Sequence, residues 1–583
     1  MLRQWKWIAV LLAGAAQAQT NTLNRPCDPV VLTGQDLPAF TNLLPSQIVA
    51  FRYISGWQQI PVQIDERKVV DFGQVYNTNA FGVVTLAYAD VNTYCGGDSN
   101  PTFDADDELV FMAKDTANRA APATCLPTGV LTNSPVELTV TDPLDGGTGY
   151  VYLFRSNGSL APGAGTNYVS YTFNLLAGSY IPNYDTRSGP NLEDSAVTTP
   201  YYREHFSDRW IHNQTQVFTA GSDGIDILDR HQNQFAPGIC SRTEDTFSNG
   251  EGAFFANKTG PVRAVRSYMG ANSGPTTERD HLFYEQRHDI TTHLRVHPIP
   301  SVMDLYDYAT NATGMTYFND LNLSGATINS VQDSLTVGSI VWEMVSGPHG
   351  TLIFSHSFVT DITNFTYRSY YSDTFTPLPA PCTGDPFEFG RSGLWITNAI
   401  PNTDPDLGAF NTLATTRVIY FEPANQSIQT AALRHQQAQT PLLVAAATFL
   451  GDSDCDGLAD AWELSVFGNL IHSGTADDDG DGASNEAEYI AGTDPANNAS
   501  HPSLNISSSS GQANIVFAAL KADGVGYAGL NRYYTLQERA DLAQGSWNPV
   551  PGYTDILATN QTVIYTAPLA GSRHFYRTRI RLQ

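Results

Sequence analysis

Short runs of alternating apolar and polar residues recur along most of this 583-residue chain. Such period-two alternation is typical of half-buried β-strands, whose successive side chains point to opposite faces of a sheet. It predicts strands at 47–53, 59–64, 83–88, 108–112, 136–140, 262–268, 290–297, 338–344, 351–358, 416–421, 513–517, 532–538, 562–565 and 574–582. Glycine, proline and asparagine separate many of these runs, as expected of turns. The pattern therefore predicts a mainly β protein with sandwich-like regions.

Helical patterns are confined to a stretch near the C-terminal end of the sequence. Residues 431–437 and 442–450 have a composition that favours helix. Two shorter helices are predicted at 460–467 and 485–491, and a glycine directly follows each of them. Trp462, Val466, Phe467, Tyr489 and Ile490 would supply a small shared core for this second pair. The fold class is thus mainly β, with a small α-helical, EF-hand-like module.

Two twelve-residue acidic loops lead into the two shorter helices. Position 7 of each loop offers a backbone carbonyl, and positions 1, 3, 5, 9 and 12 carry side-chain oxygens. Positions 1, 3, 5, 7, 9 and 12 of the first loop are Asp452, Asp454, Asp456, Leu458, Asp460 and Glu463. The same positions of the second loop are Asp477, Asp479, Asp481, Ala483, Asn485 and Glu488. A glycine at position 6 permits the sharp turn, and Ca²⁺ prefers six to eight oxygen ligands in this arrangement. The spacing predicts two calcium sites, and calcium should fold the segment by relieving carboxylate repulsion.

The segment 452–495 carries the motifs DxDxDGLxDxWE, DxDGDGxxNxxEY and GTDP. In these features it resembles the thrombospondin type 3 and dockerin-like calcium repeats of bacterial secreted proteins. The resemblance implies an extracellular calcium-dependent spacer or attachment module. The two loops start 25 residues apart with an irregular segment between them, unlike the regular repeat pair of dockerins that bind cohesin. The tail beyond the module is similar to small β-domains that end in an FYR-type strand, here residues 575–577.

The first 18 residues have the pattern of a secretory signal peptide. Arg3 and Lys6 precede a short apolar run, and 16–18 form a small-x-small cleavage site. The run is too short to span a bilayer, and no other stretch of the sequence is long and apolar enough to do so. We therefore expect an exported protein without a membrane span, located outside the cell, on its surface or in the periplasm.

The formal net charge of the chain is −27. Such a charge disfavours binding to nucleic acid and to anionic membranes. Bound calcium would offset part of it. Binding of an acidic polysaccharide would need a local cluster of basic residues against this overall charge. Separately, the alternation of Arg577, Arg579 and Arg581 with apolar and small residues is that of a half-buried strand with a basic outer face.

Six cysteines are dispersed through the chain without zinc-site spacing, and an oxidising compartment would favour pairing among them. They are Cys27, Cys95, Cys125, Cys240, Cys382 and Cys455. Cys95 with Cys125 is the local candidate for a disulfide. Cys455 occupies a non-ligand position of the first acidic loop, where it is either free or joins that loop to a neighbouring segment.

Length and changes of pattern divide the chain into six segments. We expect a signal peptide, an N-terminal β domain, a linker or surface excursion, a central β-rich domain, a calcium-binding repeat module and a C-terminal β-sandwich-like domain. Their bounds are 1–18, 19–155, 156–200, 201–440, 441–500 and 501–583. The acidic stretch 98–108 in the N-terminal domain is either a third cation site or a solvated turn.

A charged and aromatic cluster in the central domain supplies the catalytic candidates, Arg279, His281, Tyr284 and Glu285. A lyase acting on an acidic sugar needs a cation to neutralise the carboxylate, a base and an acid, and these residue types can fill the three roles. A glycoside hydrolase needs two facing carboxylates instead. Ordinary salt bridges on a polar sheet face would give the same sequence pattern.

Two functions follow from these observations. The first is a secreted calcium-binding β-protein with a structural or adhesive role at the cell exterior, whose partners are calcium and a polysaccharide or other cell-surface component. The alternative is an extracellular polysaccharide lyase or glycoside hydrolase with its active site in 201–440. Residues 59–67 and 260–263 are similar to β-rich carbohydrate-processing proteins of the rhamnogalacturonan-lyase-like type, which is in keeping with the alternative.

Overall fold

The structure, a computed structural model, describes most of the chain. The described residues are 12–13, 19–71, 84–93, 96–132, 135–176, 191–235, 242–249, 252–271, 274–294, 299–374, 387–400, 413–568 and 574–583. Within these ranges the chain is mainly β, as the sequence predicts. Most of the expected signal peptide, together with Cys95, Cys240 and Cys382, lies outside the described residues.

Two sheets form the N-terminal region. The larger has five antiparallel strands in the order Leu443–Thr448, Val136–Thr141, Thr148–Arg155, Ile48–Tyr53 and Trp57–Ile60. The smaller has the order Pro29–Thr33, Glu108–Met112 and Gln63–Asp65. Apolar side chains of both sheets form one buried core, because each strand turns alternate residues towards the other sheet. A hairpin of Arg67–Asp71 and Val84–Tyr88 stands beside them.

The predicted helix at 442–450 is wrong, because Leu443–Thr448 is a strand at the edge of the five-stranded sheet. Its alanine-rich sequence favours a helix locally, but pairing along the whole of Val136–Thr141 overrides that preference. The helix before it is present and spans Ile428–Gln439.

Three sheets build the central region. The largest has nine antiparallel strands in the order Ala253–Thr259, Ala264–Ala271, Gly274–Phe283, Arg287–Leu294, Leu413–Glu422, Gly350–Thr360, Trp342–Gly347, Thr316–Asn319 and Asn322–Thr327. A five-stranded sheet has the order Arg242–Thr243, Leu228–Phe235, Val302–Tyr308, Glu388–Ile396 and Tyr367–Thr374. A four-stranded sheet has the order Ser170–Thr172, Ser195–Thr198, Tyr202–Asp208 and Ile211–Val217. The segment expected to be a linker, 156–200, thus supplies two of these strands.

The core of the central region lies between the nine-stranded sheet and the other two. Phe354 and Phe421 from the large sheet pack with Tyr306 from the five-stranded sheet and Tyr202 from the four-stranded sheet. The rings of Tyr202 and Phe421 stack with 3.7 Å between their centroids. This contact between sheets fits the sandwich-like architecture that the alternation of residues predicts.

The C-terminal region contains two small sheets that pack on the predicted acidic module. One has the order Leu504–Ser509, Gln512–Ala519 and Gln561–Pro568. In the other, Arg532–Arg539 is the central strand, and it pairs with Phe575–Leu582, Asn548–Pro549 and Ile556–Leu557. The short strand Leu12–Ala13 extends this sheet by pairing in parallel with Arg579–Ile580. The five predicted core residues of the module lie in the same apolar cluster as both sheets, so the module has no separate core.

Helices are few and short in the described part of the chain. The α-helices are Glu244–Asn249, Ile428–Gln439, Asp460–Val466 and Asn485–Ala491, and the 3₁₀ turns are Pro45–Gln47, Ala113–Asp115 and Thr310–Ala312. Among the described residues, no helix has the length and apolar character needed to cross a membrane.

Candidate metal centre

The two acidic loops share three internal hydrogen bonds, although they lie in different parts of the module. The aspartate at position 1, Asp452 or Asp477, accepts the backbone N–H groups of positions 4 and 6 at 2.6 to 3.0 Å. The aspartate at position 5, Asp456 or Asp481, accepts the N–H of position 7 at 2.9 or 2.7 Å. This repetition shows that the shared spacing folds into one loop geometry.

Glycine at position 6 makes this geometry accessible. Gly457 and Gly482 have φ angles of +97° and +95°, a region that side chains with a Cβ atom rarely adopt. The predicted helices follow directly, at Asp460–Val466 and Asn485–Ala491. Both loop-to-helix transitions therefore place the last loop glutamate in the first turn of a helix.

The side chains at the predicted ligand positions converge. Carboxylate oxygens of Asp452, Asp454 and Asp460 lie within 4.8 Å of one another, as do those of Asp454, Asp456 and Glu463. In the second loop, Asp477, Asp479 and Asp481 form an equivalent group. Groups of carboxylates this close repel one another unless a cation lies between them.

Buried oxygens without hydrogen-bond partners point to the same conclusion. Glu463 is fully buried, and neither of its carboxylate oxygens has a hydrogen-bond partner. Asn485 Oδ1 and Glu488 Oε2 in the second loop are likewise buried without a partner, as are one oxygen each of Asp479 and Asp481. Leaving a buried oxygen unpaired costs about 1 to 3 kcal/mol. A divalent cation would satisfy these oxygens together, so the residues present fit calcium.

The electrostatics of the two terminal glutamates follow from this crowding. Burial raises the pKa of Glu463 to about 8, and the carboxylates of Asp456, Asp454, Asp460 and Asp452 add to the shift. Burial likewise raises the pKa of Glu488 to about 7, with a contribution from the aspartates of its own loop. Without a cation, both groups resist the ionised state that coordination requires.

The first loop is attached to the N-terminal region by covalent and backbone bonds. Cys455 forms a disulfide with Cys125, so the predicted local pair of Cys125 with Cys95 is wrong. Gly451–Asp452 also pairs in parallel with Thr124–Cys125. Asp452, the first ligand position, is therefore held by its own backbone against a distant segment.

The module is attached to the C-terminal region by the shared apolar cluster and by hydrogen bonds from Arg532. This buried guanidinium donates hydrogen bonds to the carbonyls of Ile490, Leu520 and Lys521 at 2.6 to 2.9 Å. Ile490 belongs to the helix after the second loop, where a positive charge near the C-terminal end is favourable. Sequence patterns indicated the wrong partner for Cys125 and no role for Arg532, because neither residue has a local signal that names a partner so far along the chain.

The four catalytic candidates are all buried, but they face different partners. Arg279 donates to Thr292 Oγ1 at 2.8 Å, and His281 Nδ1 lies 2.9 Å from a ring nitrogen of His288. Tyr284 and Glu285 lie just beyond the end of the strand Gly274–Phe283. Tyr284 Oη accepts a hydrogen bond from Arg263 at 3.2 Å, and the carboxylate of Glu285 pairs with Lys114. The structure brings Arg279 and His281 onto one face, whereas Glu285 contacts Lys114 of the N-terminal region. Tyr284 contacts Arg263, which is itself paired with Asp65 and Glu108 of the N-terminal region.

His281 belongs to a chain of buried polar side chains between the sheets. Its Nε2 lies 3.1 Å from Tyr268 Oη, and beyond His288 the chain continues to a carboxylate oxygen of Glu204, 2.9 Å from His288 Nδ1. Burial lowers the pKa of His281 well below its usual value, and the positive groups around it lower it further. Burial alone would raise the pKa of Glu204, but the neighbouring His288 and His212 hold it below the ordinary value.

A small cavity lies beside Arg279, between the strand ends. Trp210, Asn233 and Asp304 also line it. Arg279 Nη1 and Asn233 Nδ2 are buried there without hydrogen-bond partners. The cavity measures about 20 Å³, close to the roughly 10–15 Å³ that one water molecule requires. A sugar would enter only after the surrounding strand ends moved apart.

The acidic stretch 98–108 forms hydrogen bonds within itself. Asn100 donates to Asp104 at 2.8 Å, and Asp107 is buried and accepts the N–H groups of Arg67 and Asp104. Burial and the neighbouring Asp104 raise the pKa of Asp106 to about 6. These contacts are those of an ordered acidic turn, and a third cation there stays a prediction.

Comparison with known proteins gives distant structural neighbours alone. No protein-family model and no curated protein matches the sequence. An α-mannosidase from Enterococcus faecalis has 7% identity and a TM-score of 0.34, and the match covers 97% of this chain and 55% of the mannosidase. A putative aldose 1-epimerase from Escherichia coli has 10% identity and a TM-score of 0.22, and the match covers 43% of this chain and 99% of the epimerase. This chain thus spans about half the length of the mannosidase, and likeness this weak assigns it no activity.

Proposed function

We propose that this is a secreted, calcium-binding multidomain β-protein with a structural or adhesive role at the cell exterior. Its module would be of the thrombospondin type 3 or dockerin-like kind. The observation that carries the proposal is Glu463, a buried glutamate whose two oxygens have no hydrogen-bond partner and face a group of aspartates. A buried carboxylate in this setting is costly unless a cation accompanies it.

Each loop would hold one ion through its own side chains. In the first loop, Asp452, Asp454, Asp456, Asp460 and Glu463 would donate carboxylate oxygens and Leu458 its carbonyl. In the second, Asp477, Asp479, Asp481 and Glu488 would supply carboxylate oxygens, Asn485 its amide oxygen and Ala483 its backbone carbonyl. Calcium would supply the positive charge that lets these carboxylates remain ionised at close range.

The structural role follows from what the loops are attached to. The first loop is joined to the N-terminal region through Cys455 and Cys125, and the helix of the second loop is held by Arg532 of the C-terminal sheet. A loop that folds only with calcium would make the joint between these regions rigid only with calcium. The protein would then serve as a calcium-dependent spacer or attachment.

Thermal unfolding of the full chain tests this proposal. If the dissociation constant lies near 10⁻⁴ to 10⁻³ M, as for extracellular calcium modules, calcium at 100 times that value stabilises the module by about 2.7 kcal/mol for each occupied site. The transition that includes the module should therefore shift upwards with calcium and downwards with a chelator. Glu463→Gln and Glu488→Gln should each remove part of the shift.

Asp478→Asn is the matched control, because it removes one charge from a non-ligand position of the second loop. It should keep the shift of the wild-type protein. A melting curve that does not respond to calcium would refute the proposal, and so would Glu463→Gln and Glu488→Gln proteins that respond as fully as the wild type.

The second candidate is an extracellular polysaccharide lyase or glycoside hydrolase. The observation that favours it is the cavity beside Arg279, where a free guanidinium nitrogen and Trp210 face an enclosed space next to the histidine chain. Arg279 would neutralise a sugar carboxylate, and a histidine or tyrosine would move the proton. The lyase is the better match of the two, because Asp280 and Glu285 have separate partners, Ser267 and Lys114.

A direct assay separates this candidate from the first. Incubation with a panel of acidic polysaccharides should raise the absorbance of unsaturated products, and Arg279→Lys should lower the rate at least tenfold, about 1.4 kcal/mol of barrier. Lys521→Gln, on the C-terminal region, is the control. Absence of unsaturated or reducing-end products on the whole panel would rule the candidate out.

A further inference from the structure

Four arginines gather on the outer face of the C-terminal sheet. This arginine face consists of Arg539, Arg577, Arg579 and Arg581. Three of them alternate along the strand Phe575–Leu582, and the fourth ends the neighbouring strand Arg532–Arg539. Arg577 lies opposite Gln537 and Arg579 opposite Thr535, so side chains of both strands share the face.

Arginines elsewhere in the described chain are commonly bonded to carboxylates. Arg266 pairs with Glu193 at 2.6 Å, and Arg417 pairs with Asp304 at 2.8 Å. Such pairing is expected in a protein with 58 acidic and 31 basic residues, since carboxylates are in excess. A guanidinium without a carboxylate partner needs other contacts, such as those of the buried Arg532 with backbone carbonyls.

The arginine face departs from this rule. Arg581 lies 3.4 Å from Asp555, but within the described ranges no carboxylate oxygen comes within 4.0 Å of Arg539, Arg577 or Arg579. Residues 501–583 contain seven lysines and arginines and four acidic residues, against twelve acidic residues and no lysine or arginine in 452–495. The chain thus holds an uncompensated positive surface beside its most acidic segment.

The positive side chains of the face also repel one another. Partial burial lowers the pKa of Arg577, and the adjacent guanidinium groups of Arg539 and Arg579 lower it further. An arrangement that is unfavourable by itself becomes favourable when an anion binds to it, because the anion removes the repulsion.

An aromatic ring lies within the same face. The guanidinium of Arg577 is 4.4 Å from the ring centroid of Trp547, and that of Arg539 is 5.9 Å from it. Arg577 Nε also donates to Gln537 at 2.8 Å, which fixes the guanidinium in place. A tryptophan flanked by fixed guanidinium groups offers both an apolar surface for a sugar ring and planar donors for its acidic groups.

We propose that the arginine face binds an anionic polysaccharide. Its arginines would bind carboxylate or sulfate groups, and Trp547 would lie against a sugar ring. Alternate residues of a strand are about 6.6 Å apart, so Arg577, Arg579 and Arg581 form a row that suits a polymer with repeating charges. This site is separate from the acidic loops, and its occupation does not depend on the proposed calcium function.

Retention on immobilised hyaluronan tests the proposal, with neutral dextran and phosphatidylglycerol vesicles as comparison surfaces. The full chain in calcium buffer should bind hyaluronan and not dextran, and binding should weaken as salt rises, because exposed charges are screened. Arg579→Gln should bind at least tenfold more weakly, since it loses a charge-assisted hydrogen bond to the polymer. Arg577→Lys should also bind more weakly, although it keeps the charge.

Lys521→Gln is the matched control, because it removes one positive charge from the same region and should bind as the wild type does. Equal retention on hyaluronan and dextran would overturn the proposal, as would equal binding by Arg579→Gln and Lys521→Gln. Arginine-dependent binding to the vesicles in place of hyaluronan would identify a phospholipid as the partner and also overturn it. The calcium-induced melting shift of the same proteins reports on the proposed function independently.

Discussion

At the scale of single residues, the convergence of the acidic side chains in each loop was predictable because it is local. Twelve consecutive residues contain the carboxylates, the glycine and the terminal glutamate, and the N–H groups of positions 4, 6 and 7 bond within each loop. One bond leaves the first loop, from the N–H of Gly474 to Asp456. The catalytic candidates were not predictable in the same way. Glu285 pairs with Lys114, 171 residues away, and no local pattern indicates that contact.

The buried histidines of the central region lead to a prediction about acid stability. Burial lowers the pKa of His212 to about 4, below the ordinary value of 6.5. The unfolded chain then binds a proton at this position between pH 6.5 and 4 that the folded chain does not bind. The contribution of this histidine to the free energy of unfolding is therefore fully present above pH 6.5. Between pH 6.5 and 4 it is lost by about 1.4 kcal/mol for each pH unit that the pH falls.

The measurement is the free energy of unfolding of His212→Gln and wild-type protein at several pH values. Between pH 6.5 and 4 the difference between the two proteins should shrink or reverse, because the variant lacks the titrating group. The exposed-site control is His501→Gln, whose stability should run parallel to that of the wild type. A His212→Gln protein with the same pH dependence as the wild type would contradict the explanation.

At the scale of elements, strands with strong alternation were predictable and one alanine-rich strand was not. Glu108–Met112 has the predicted bounds. Leu443–Thr448 has the composition of a helix and becomes a strand because Val136–Thr141, some 300 residues earlier in the sequence, offers it a free edge. Composition describes the preference of an isolated segment, and pairing between distant segments decides the outcome.

The disulfide supplies a prediction at the same scale. Cys455 lies inside the first acidic loop, and its bond to Cys125 limits how far that loop can open without calcium. The double variant Cys125→Ser, Cys455→Ser should therefore weaken calcium binding at the first loop by about tenfold, because the loop must be ordered at the moment of binding.

Calorimetric titration in two backgrounds separates the loops. Glu488→Gln leaves the first loop as the remaining site, and Glu463→Gln leaves the second. Loss of the disulfide should lower the affinity in the first background and leave it unchanged in the second. Equal effects in both backgrounds would show that the disulfide acts on the whole module and not on its own loop.

At the scale of the whole molecule, the acidic module lies where distant parts of the chain meet. Trp462 and Tyr489 of the module pack in one cluster with Leu536 and Ile580 of the C-terminal sheet, and Cys455 bonds to the N-terminal region. The sequence indicates the module and its ion but not these attachments, since contacts across hundreds of residues have no periodic signal. The module's position between the two regions would connect the proposed calcium binding to a structural role.

Equilibrium dialysis of the full chain against calcium counts the ions that the two acidic loops bind. We expect two bound calcium ions per wild-type chain, one in Glu463→Gln, one in Glu488→Gln and two in Asp478→Asn. A wild-type chain that takes up no calcium at concentrations well above 10⁻³ M, the weak end expected for extracellular modules, would contradict it.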